Sequence, residues 1–223
     1  ELPASLGGGK VLPLSQVIHV GDCIDSGDKN GAVIAKMQAT EWKEWQADYG
    51  LDGKDGRLKY PTYEIHGNHD GSLEFISHLL GVNVENQYEF ESGGKRILAL
   101  HGHIFDEFID KHPWLTMFAD FFYCLLQKMD SSHTFAKIAK TGSKTFLRCA
   151  EKIEQGAVNL ARKLGCHSVC CGHTHHAVEK FNHDVMYYNS GCWTETLPTY
   201  LTVLNGEIKI QTYVHEEGEI IME

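Results

Sequence analysis

Short apolar runs along the chain stop abruptly at clusters of polar residues. Four such runs end at Gly-Asp, Gly-Asn-His-Asp, His-Gly-His and Gly-His-Thr-His. They cover residues 17–20, 62–66, 96–100 and 167–171. Apolar runs of this length, bounded by glycine and polar residues, are typical of buried β-strands. We therefore predict four strands that carry polar side chains at their C-terminal ends.

The C-terminal part of the chain has a second, hairpin-like pattern. Further strands are predicted over residues 185–188, 199–204 and 207–212. Asn205-Gly206 separates the last two runs, and this dipeptide favours the tight turn that joins two antiparallel strands. The sequence therefore predicts a terminal hairpin.

Helical periodicity lies between the predicted strands. It covers residues 32–49, residues 72–80 between Ser72 and Gly81, and residues 143–164 before Gly165. Serine is a common helix N-cap, and glycine commonly ends a helix. Strands that alternate with helices indicate an α/β domain, here a single domain over residues 1–223. Residues 106–163 break the alternation because they are helical throughout, which predicts an inserted helical cap.

Composition and charge narrow the range of functions. The 223 residues carry a net charge of −10 and 14 histidines. An acidic chain does not favour nucleic-acid binding, which needs a basic face. No apolar run is long enough for a spanning helix, and the N-terminus lacks the features of a signal peptide. The seven cysteines have no regular spacing. We therefore expect a cytoplasmic protein with reduced thiols.

The polar clusters offer metal ligands. Open α/β sheets build their sites at the C-terminal ends of strands, so these clusters are expected to meet. They contain Asp22, Asn68, His69, Asp70, His101, His173 and His175. Mixed oxygen and imidazole ligands suit Mn²⁺, Fe or Zn²⁺ better than Ca²⁺. Two structural histidines at positions 173 and 175 are the alternative interpretation.

The ordered series Gly-Asp, Gly-Asn-His-Asp, His and Gly-His-Thr-His resembles the calcineurin-like metallophosphoesterases. That resemblance implies a two-sheet β-sandwich flanked by helices and a centre of two divalent metal ions. It implies that Asp22 bridges the ions, that Asn68, His101 and His173 complete one site, and that His175 serves the other. His69 would act on the transition state or the leaving oxygen, oriented by Asp70. Mn²⁺ is favoured as the metal, with Fe, Zn²⁺ and Mg²⁺ as alternatives.

The second half of the chain resembles the UDP-2,3-diacylglucosamine diphosphatase subgroup. The matching stretches are LALHGHIFDEF, the helical segment from HPWL, CCGHTHHA and YYNSGCWTE. The subgroup cleaves a pyrophosphate bond in a nucleotide-linked glycolipid under a helical cap. By that resemblance, Trp114, Phe118, Phe122, Asn68 and Asn189 would contact the substrate.

The predicted cap combines apolar and basic character. The segment from Trp114 to Leu126 is rich in apolar side chains, and residues 128–163 hold eight basic residues against three acidic ones. Such a surface suits an amphiphilic anion or peripheral contact with an anionic membrane. A helical hairpin packed on the core with a solvated basic face is the alternative.

One motif of the resembled family is missing. Its first strand ends in Asp-x-His, whereas residues 1–16 contain neither aspartate nor histidine. We expect that the sequence begins after that strand; a divergent protein with one metal is the alternative. The other functions left open are a soluble phosphomonoesterase or phosphodiesterase and a non-catalytic scaffold with an incomplete metal centre.

Overall fold

Strands and two helices make up most of the part of the chain that the computed structural model describes. This part comprises residues 5–6, 10–11, 16–22, 62–70, 72–106, 144–192 and 198–213. The strands are β1 Ser5–Leu6, β2 Lys10–Val11, β3 Val17–Val20, β4 Thr62–Ile65, β5 Asn83–Glu85, β6 Gln87–Ser92, β7 Lys95–Leu100, β8 Ser168–Cys171, β9 Val178–Asn182, β10 Val185–Asn189, β11 Thr199–Leu204 and β12 Glu207–Thr212. The helices are α1 Leu73–Leu80, α2 Lys144–Lys163 and a short 3-10 helix, His103–Phe105.

The chain divides into two compact units. The first unit contains Glu1–Tyr88 and Ala99–His101, and the second contains Glu89–Leu98 and Gly102–Glu223. The predicted single domain over residues 1–223 stays a prediction. The predicted helix over residues 32–49 lies outside the described residues.

The first unit is built on a parallel sheet of order β3-β4-β5. Ile65 at the end of β4 and Ile76 of α1 are fully buried and belong to its core. Ser72 caps α1, since its hydroxyl accepts the backbone N–H of Phe75, and Gly81 ends the helix with a left-handed φ of 71°. Both ends are where the sequence predicted them.

The second unit is centred on a five-stranded sheet of order β6-β7-β8-β10-β9. The parallel neighbours β8 and β10 lie beside each other in this sheet, and β9 pairs with β10 in the antiparallel direction. α2 packs against β8 and β10. It buries one apolar stripe, whose members are Ile153, Ala157, Val158 and Ala161. Their spacing of three and four residues is that of a helix face directed at a core.

A second sheet, the β11–β12 hairpin, packs on the five-stranded sheet within the same unit. Ile97, Cys170 and Tyr188 of the larger sheet form one buried cluster with Ile208 of the hairpin. The turn between β11 and β12 has left-handed φ values at Asn205 and Gly206, of 50° and 76°. The predicted hairpin and the mixed α/β fold class are therefore confirmed.

The predicted insertion over residues 106–163 is described in part. Its last section is α2, which packs on the central sheet rather than standing apart from it. Residues 107–143 lie outside the described residues, so the helical cap stays a prediction. Among the described residues, neither helix combines the length and the hydropathy that crossing a bilayer requires.

Candidate metal centre

Asp22 and His101 meet at the strand ends of the first unit. Asp22 follows β3 and His101 follows β7; their atoms Oδ2 and Nε2 lie 3.0 Å apart. His101 is almost fully buried, with 2% of its side chain exposed. Gly21 precedes Asp22 with a φ of 78°, and a Cβ at this position would overlap the His101 ring. Glycine is therefore required here both for the turn and for the close approach of His101.

The carboxylate of Asp22 is held in its ionised form. Burial disfavours the charge, but the hydrogen bond and charge of His101 favour it, as does the backbone N–H of His69, which donates to Asp22 Oδ1 at 3.0 Å. The favourable interactions outweigh burial, so the pKa of Asp22 lies well below its usual value. An ionised, half-buried carboxylate is the form that binds a cation.

Asp70 joins the two loops that carry Asp22 and Asn68. Its side chain is fully buried. Its Oδ2 atom accepts the backbone N–H of Asp22 at 2.9 Å and that of Gly67 at 2.7 Å. These bonds fix the loop after β3 against the loop after β4. The predicted role of Asp70 in orienting His69 stays a prediction.

Asn68 and His69 have exposed side chains in the loop after β4. Gly67 precedes them, and a Cβ on this residue would collide with the carboxylate of Asp22. The loop therefore comes close to Asp22 while two polar side chains remain accessible to solvent. Hydrogen bonds from backbone N–H groups to carboxylates link Asp22 with His69 and Asp70. Their predicted roles at a metal centre stay predictions.

The second unit carries His173 and His175 in the loop after β8. Both are non-glycine residues with left-handed φ values, of 64° and 54°. This conformation costs free energy for an L-residue and is concentrated at functional sites. Thr174 between them is buried, and its N–H donates to the carbonyl of Gly172 at 2.8 Å. The loop is thus a tight turn that projects two half-buried imidazoles.

Asn189 at the end of β10 supports this loop. Its side chain is fully buried; Nδ2 donates to the carbonyl oxygen of Gly172, and Oδ1 accepts the N–H of Gly191 at 3.1 Å. The amide is therefore engaged in holding the backbone next to His173. A direct substrate contact by Asn189 stays a prediction.

Sequence reasoning missed Asp106. Its Oδ2 atom lies 3.1 Å from Nε2 of His173, and 12% and 11% of the two side chains are exposed. The ring of His103 also stands edge-on to that of His173, with centroids 6.4 Å apart. Asp106 follows His101 by five residues in the HGHIFD stretch, but this spacing alone does not predict a contact with a residue 67 positions away.

Comparison with known proteins identifies the family. The family model for calcineurin-like phosphoesterases matches residues 10–177. The chain belongs to the calcineurin-like phosphoesterase family. It is therefore a hydrolase of the metallophosphoesterase type, which acts on phosphoester bonds. No curated protein matches the chain.

Solved structures with a similar fold include an archaeal phosphodiesterase, which is 16% identical over 90% of this chain and 84% of its own, with a TM-score of 0.40. A single mutant of Vps29 from Entamoeba histolytica is 13% identical over 90% and 82%, with a TM-score of 0.39. A predicted phosphoesterase from Streptococcus pneumoniae is 12% identical over 89% and 97%, with a TM-score of 0.38. The family assignment depends on the family model and not on these likenesses.

Metallophosphoesterases use divalent metal ions, and the donors of this chain fit such ions. Asp22, His101 and His173 each offer one donor atom of the required kind. Carboxylate oxygens and imidazole nitrogens are the mixed donors that suit Mn²⁺, Fe or Zn²⁺. The ionised state of Asp22 and the strained backbone at His173 agree with this use.

Three predicted substrate contacts of this metallophosphoesterase lie outside the described residues. They are Trp114, Phe118 and Phe122. The metal identity and a second metal ion at His175 stay predictions.

Proposed function

We propose that this metallophosphoesterase hydrolyses a phosphoester or pyrophosphate bond in a nucleotide-linked glycolipid such as UDP-diacylglucosamine. The observation that carries its hydrolytic part is the contact between Asp22 and His101 at the strand ends, with Asp22 kept ionised in a half-buried position. An ionised carboxylate in this position can bind a metal ion. The glycolipid part is supported by the apolar and basic composition of residues 114–163.

In this proposal, five residues hold two divalent ions. They are Asp22, Asn68, His101, His173 and His175. Divalent ions at such a site supply positive charge against phosphoryl oxygens and lower the pKa of water. The chain keeps Asp22 ionised through His101 and the backbone N–H of His69. It holds the loops that carry Asp22 and His173 through Asp70 and Asn189.

His69 is the proposed proton donor to the leaving oxygen. Its backbone N–H is bound to Asp22 Oδ1, so its position is tied to that carboxylate, while its side chain is exposed to an incoming substrate. General acid catalysis by a histidine commonly contributes about 10²–10⁴-fold to a rate. Asn68, its neighbour, would both bind metal and contact the phosphoryl group.

Hydrolysis of an aryl phosphodiester tests the proposed chemistry. We expect metal-free protein to be inactive and Mn²⁺ to restore hydrolysis. His173→Ala and Asn68→Ala should each abolish it, whereas the exposed Asp184→Asn variant should retain the wild-type rate. Equal rates with and without metal, or full activity in both alanine variants, would contradict the proposal.

A second assay addresses the substrate. Peripheral contact with a membrane is part of the glycolipid proposal, because Trp114, Phe118 and Phe122 would bind acyl chains there. We expect faster cleavage of the nucleotide-linked glycolipid in anionic liposomes or detergent than of a water-soluble monoester. A preference for soluble monoesters or cyclic nucleotides, with no effect of liposomes, would favour the soluble phosphomonoesterase or phosphodiesterase instead.

A further inference from the structure

Asp106 occupies a position fixed by the 3-10 helix that follows His101. Its backbone N–H donates to the carbonyl of His103 at 2.9 Å, which closes the last turn of this helix. The φ of Gly102, 104°, begins the helix with a conformation that side-chain-bearing residues rarely adopt. The carboxylate of Asp106 therefore leaves a defined turn rather than an open loop.

α2 anchors this turn from the other side. Phe105 packs directly on Gly156 of α2, and a Cβ at Gly156 would lie 2.5 Å from two ring carbons of Phe105. A Cβ at Gly102 would lie 3.1 Å from Ile153 of the same helix. The missing side chain of Gly156 leaves room on α2 for the Phe105 ring. Because Asp106 follows Phe105 directly, this contact fixes the position of the Asp106 backbone relative to α2.

The carboxylate meets His173 in a sheltered position. Oδ2 of Asp106 lies 3.1 Å from Nε2 of His173, and nearly nine-tenths of each side chain is buried. Asp106 is also close to α2, where its charge adds to burial in raising the pKa of the Cys149 thiol. A hydrogen bond to a charged acceptor in such surroundings is stronger than a neutral one. In general, a hydrogen bond from one ring nitrogen to a carboxylate sets the tautomer and the direction of an imidazole.

We propose that Asp106 is a positioning residue that accepts the Nε2–H of His173 and thereby directs Nδ1 of this imidazole to a metal ion. This inference rests on the proposed function, since it assigns His173 as a ligand. Carboxylates that hold a metal-binding histidine through its second nitrogen commonly contribute about 10–100-fold to metal affinity. The contact between Phe105 and Gly156 supports this role, because it fixes the backbone from which the Asp106 carboxylate extends.

Metal affinity of the purified chain is the first test. Mn²⁺ binding would be measured by titration calorimetry on metal-free wild type, Asp106→Ala, Asp106→Asn and Asp106→Glu. We expect Asp106→Ala to bind about 10–100-fold more weakly than wild type. Asp106→Asn should lie between them, because the amide oxygen accepts the same hydrogen bond without the charge, and Asp106→Glu should recover part of the loss.

Asp184→Asn is the matched control. Asp184 is an exposed carboxylate paired with Arg162 at 2.9 Å on the surface of the same unit. Its variant removes the same charge and should bind Mn²⁺ as wild type does. Wild-type affinity in Asp106→Ala and Asp106→Asn would overturn the inference. If Asp106→Ala does not fold, Asp106→Asn decides, since its side chain has nearly the same shape.

The tautomer of His173 is a second readout that needs no metal. Long-range ¹⁵N–¹H spectra of the metal-free protein, assigned by the loss of one signal set in His173→Gln, report which ring nitrogen carries the proton. We expect Nε2–H in wild type and loss of this preference in Asp106→Ala. Nδ1–H in wild type would overturn the inference. Failure of wild type to bind any metal would instead contradict the proposed function, while the tautomer would still decide the role of Asp106.

Discussion

At the scale of single residues, the candidate centre is marked by backbone strain and by buried charge. Asp22, His173 and His175 are three of the five non-glycine residues with left-handed φ among the described residues. Such conformations persist only where surrounding contacts enforce them. Asp70 and Asn189 supply contacts of this kind for Asp22 and for the loop of His173. Substitution of Asp70 or Asn189 should therefore have a measurable effect, as substitution of the proposed metal ligands should.

Asp70→Ala is expected to lower the free energy of unfolding by about 2–4 kcal/mol, since it leaves the N–H groups of Asp22 and Gly67 without their acceptor in a buried place. Urea denaturation of the metal-free protein measures the change. The exposed Asp184→Asn variant should lose less than about 0.5 kcal/mol. An equally small loss of unfolding free energy in Asp70→Ala would contradict the role of Asp70 in holding the loops after β3 and β4 together.

The stability of the metal-free protein should fall as the pH drops from about 6.5 to about 4, because burial lowers the pKa of His19 to about 4. Over this interval the unfolded chain binds a proton at His19 and the folded chain does not. Above the ordinary histidine pKa, His19 is neutral in both the folded and the unfolded chain, so it adds nothing to the pH dependence of stability. Urea denaturation at several pH values would measure it.

The variant that tests this prediction is His19→Gln. In this variant the free energy of unfolding should depend less steeply on pH between these two values. His176→Gln, at an exposed position, should keep the wild-type profile. If His19→Gln and wild type have parallel profiles, His19 is not the group responsible.

At the scale of elements, α2 both closes the core of the second unit and positions the turn before Asp106. The sequence predicted this helix over residues 143–164, and the structure places it at Lys144–Lys163. The sequence did not predict that α2 packs against Phe105 of the 3-10 helix. Glycine inside a helix costs roughly 0.5–1 kcal/mol relative to alanine, so Gly156 indicates a packing requirement. That requirement is the ring of Phe105.

Gly156→Ala should destabilise the protein despite the higher helix propensity of alanine, because the new methyl group meets the Phe105 ring. In a Phe105→Ala background the clash is gone, and Gly156→Ala should then stabilise by about 0.5–1 kcal/mol. Thermal or urea unfolding of the two single variants and the double variant measures this coupling. Additive effects in the cycle would show that Phe105 and Gly156 do not meet.

Several strands were predicted closely and others were missed, for physical reasons. β3, β11 and β12 lie where the apolar runs placed them, since each run has a clear glycine or polar boundary. β9 has no apolar run, because Glu179, Lys180 and Phe181 are exposed on an edge of the sheet. β6 alternates Tyr88 and Phe90 and is followed by a Gly93-Gly94 turn with left-handed φ values, a pattern typical of a hairpin.

At the scale of the whole molecule, the candidate residues were found because the polar clusters all follow strands. That rule led to Asp22, His101 and His173 without any knowledge of the sheet order. It could not lead to Asp106, which lies after a 3-10 turn. It also could not foresee the bracing by Asp70 and Asn189, because hydrogen bonds to distant backbone groups leave no local pattern in a sequence.

The central claim is that this metallophosphoesterase binds divalent metal through Asp22, and one measurement tests it most directly. Elemental analysis of the purified wild type, saturated with Mn²⁺ and then freed of unbound metal, gives the number of ions per chain. The account predicts two ions for wild type and fewer in Asp22→Asn. A wild-type chain that retains no ion, or an Asp22→Asn variant that retains as many as wild type, would contradict it.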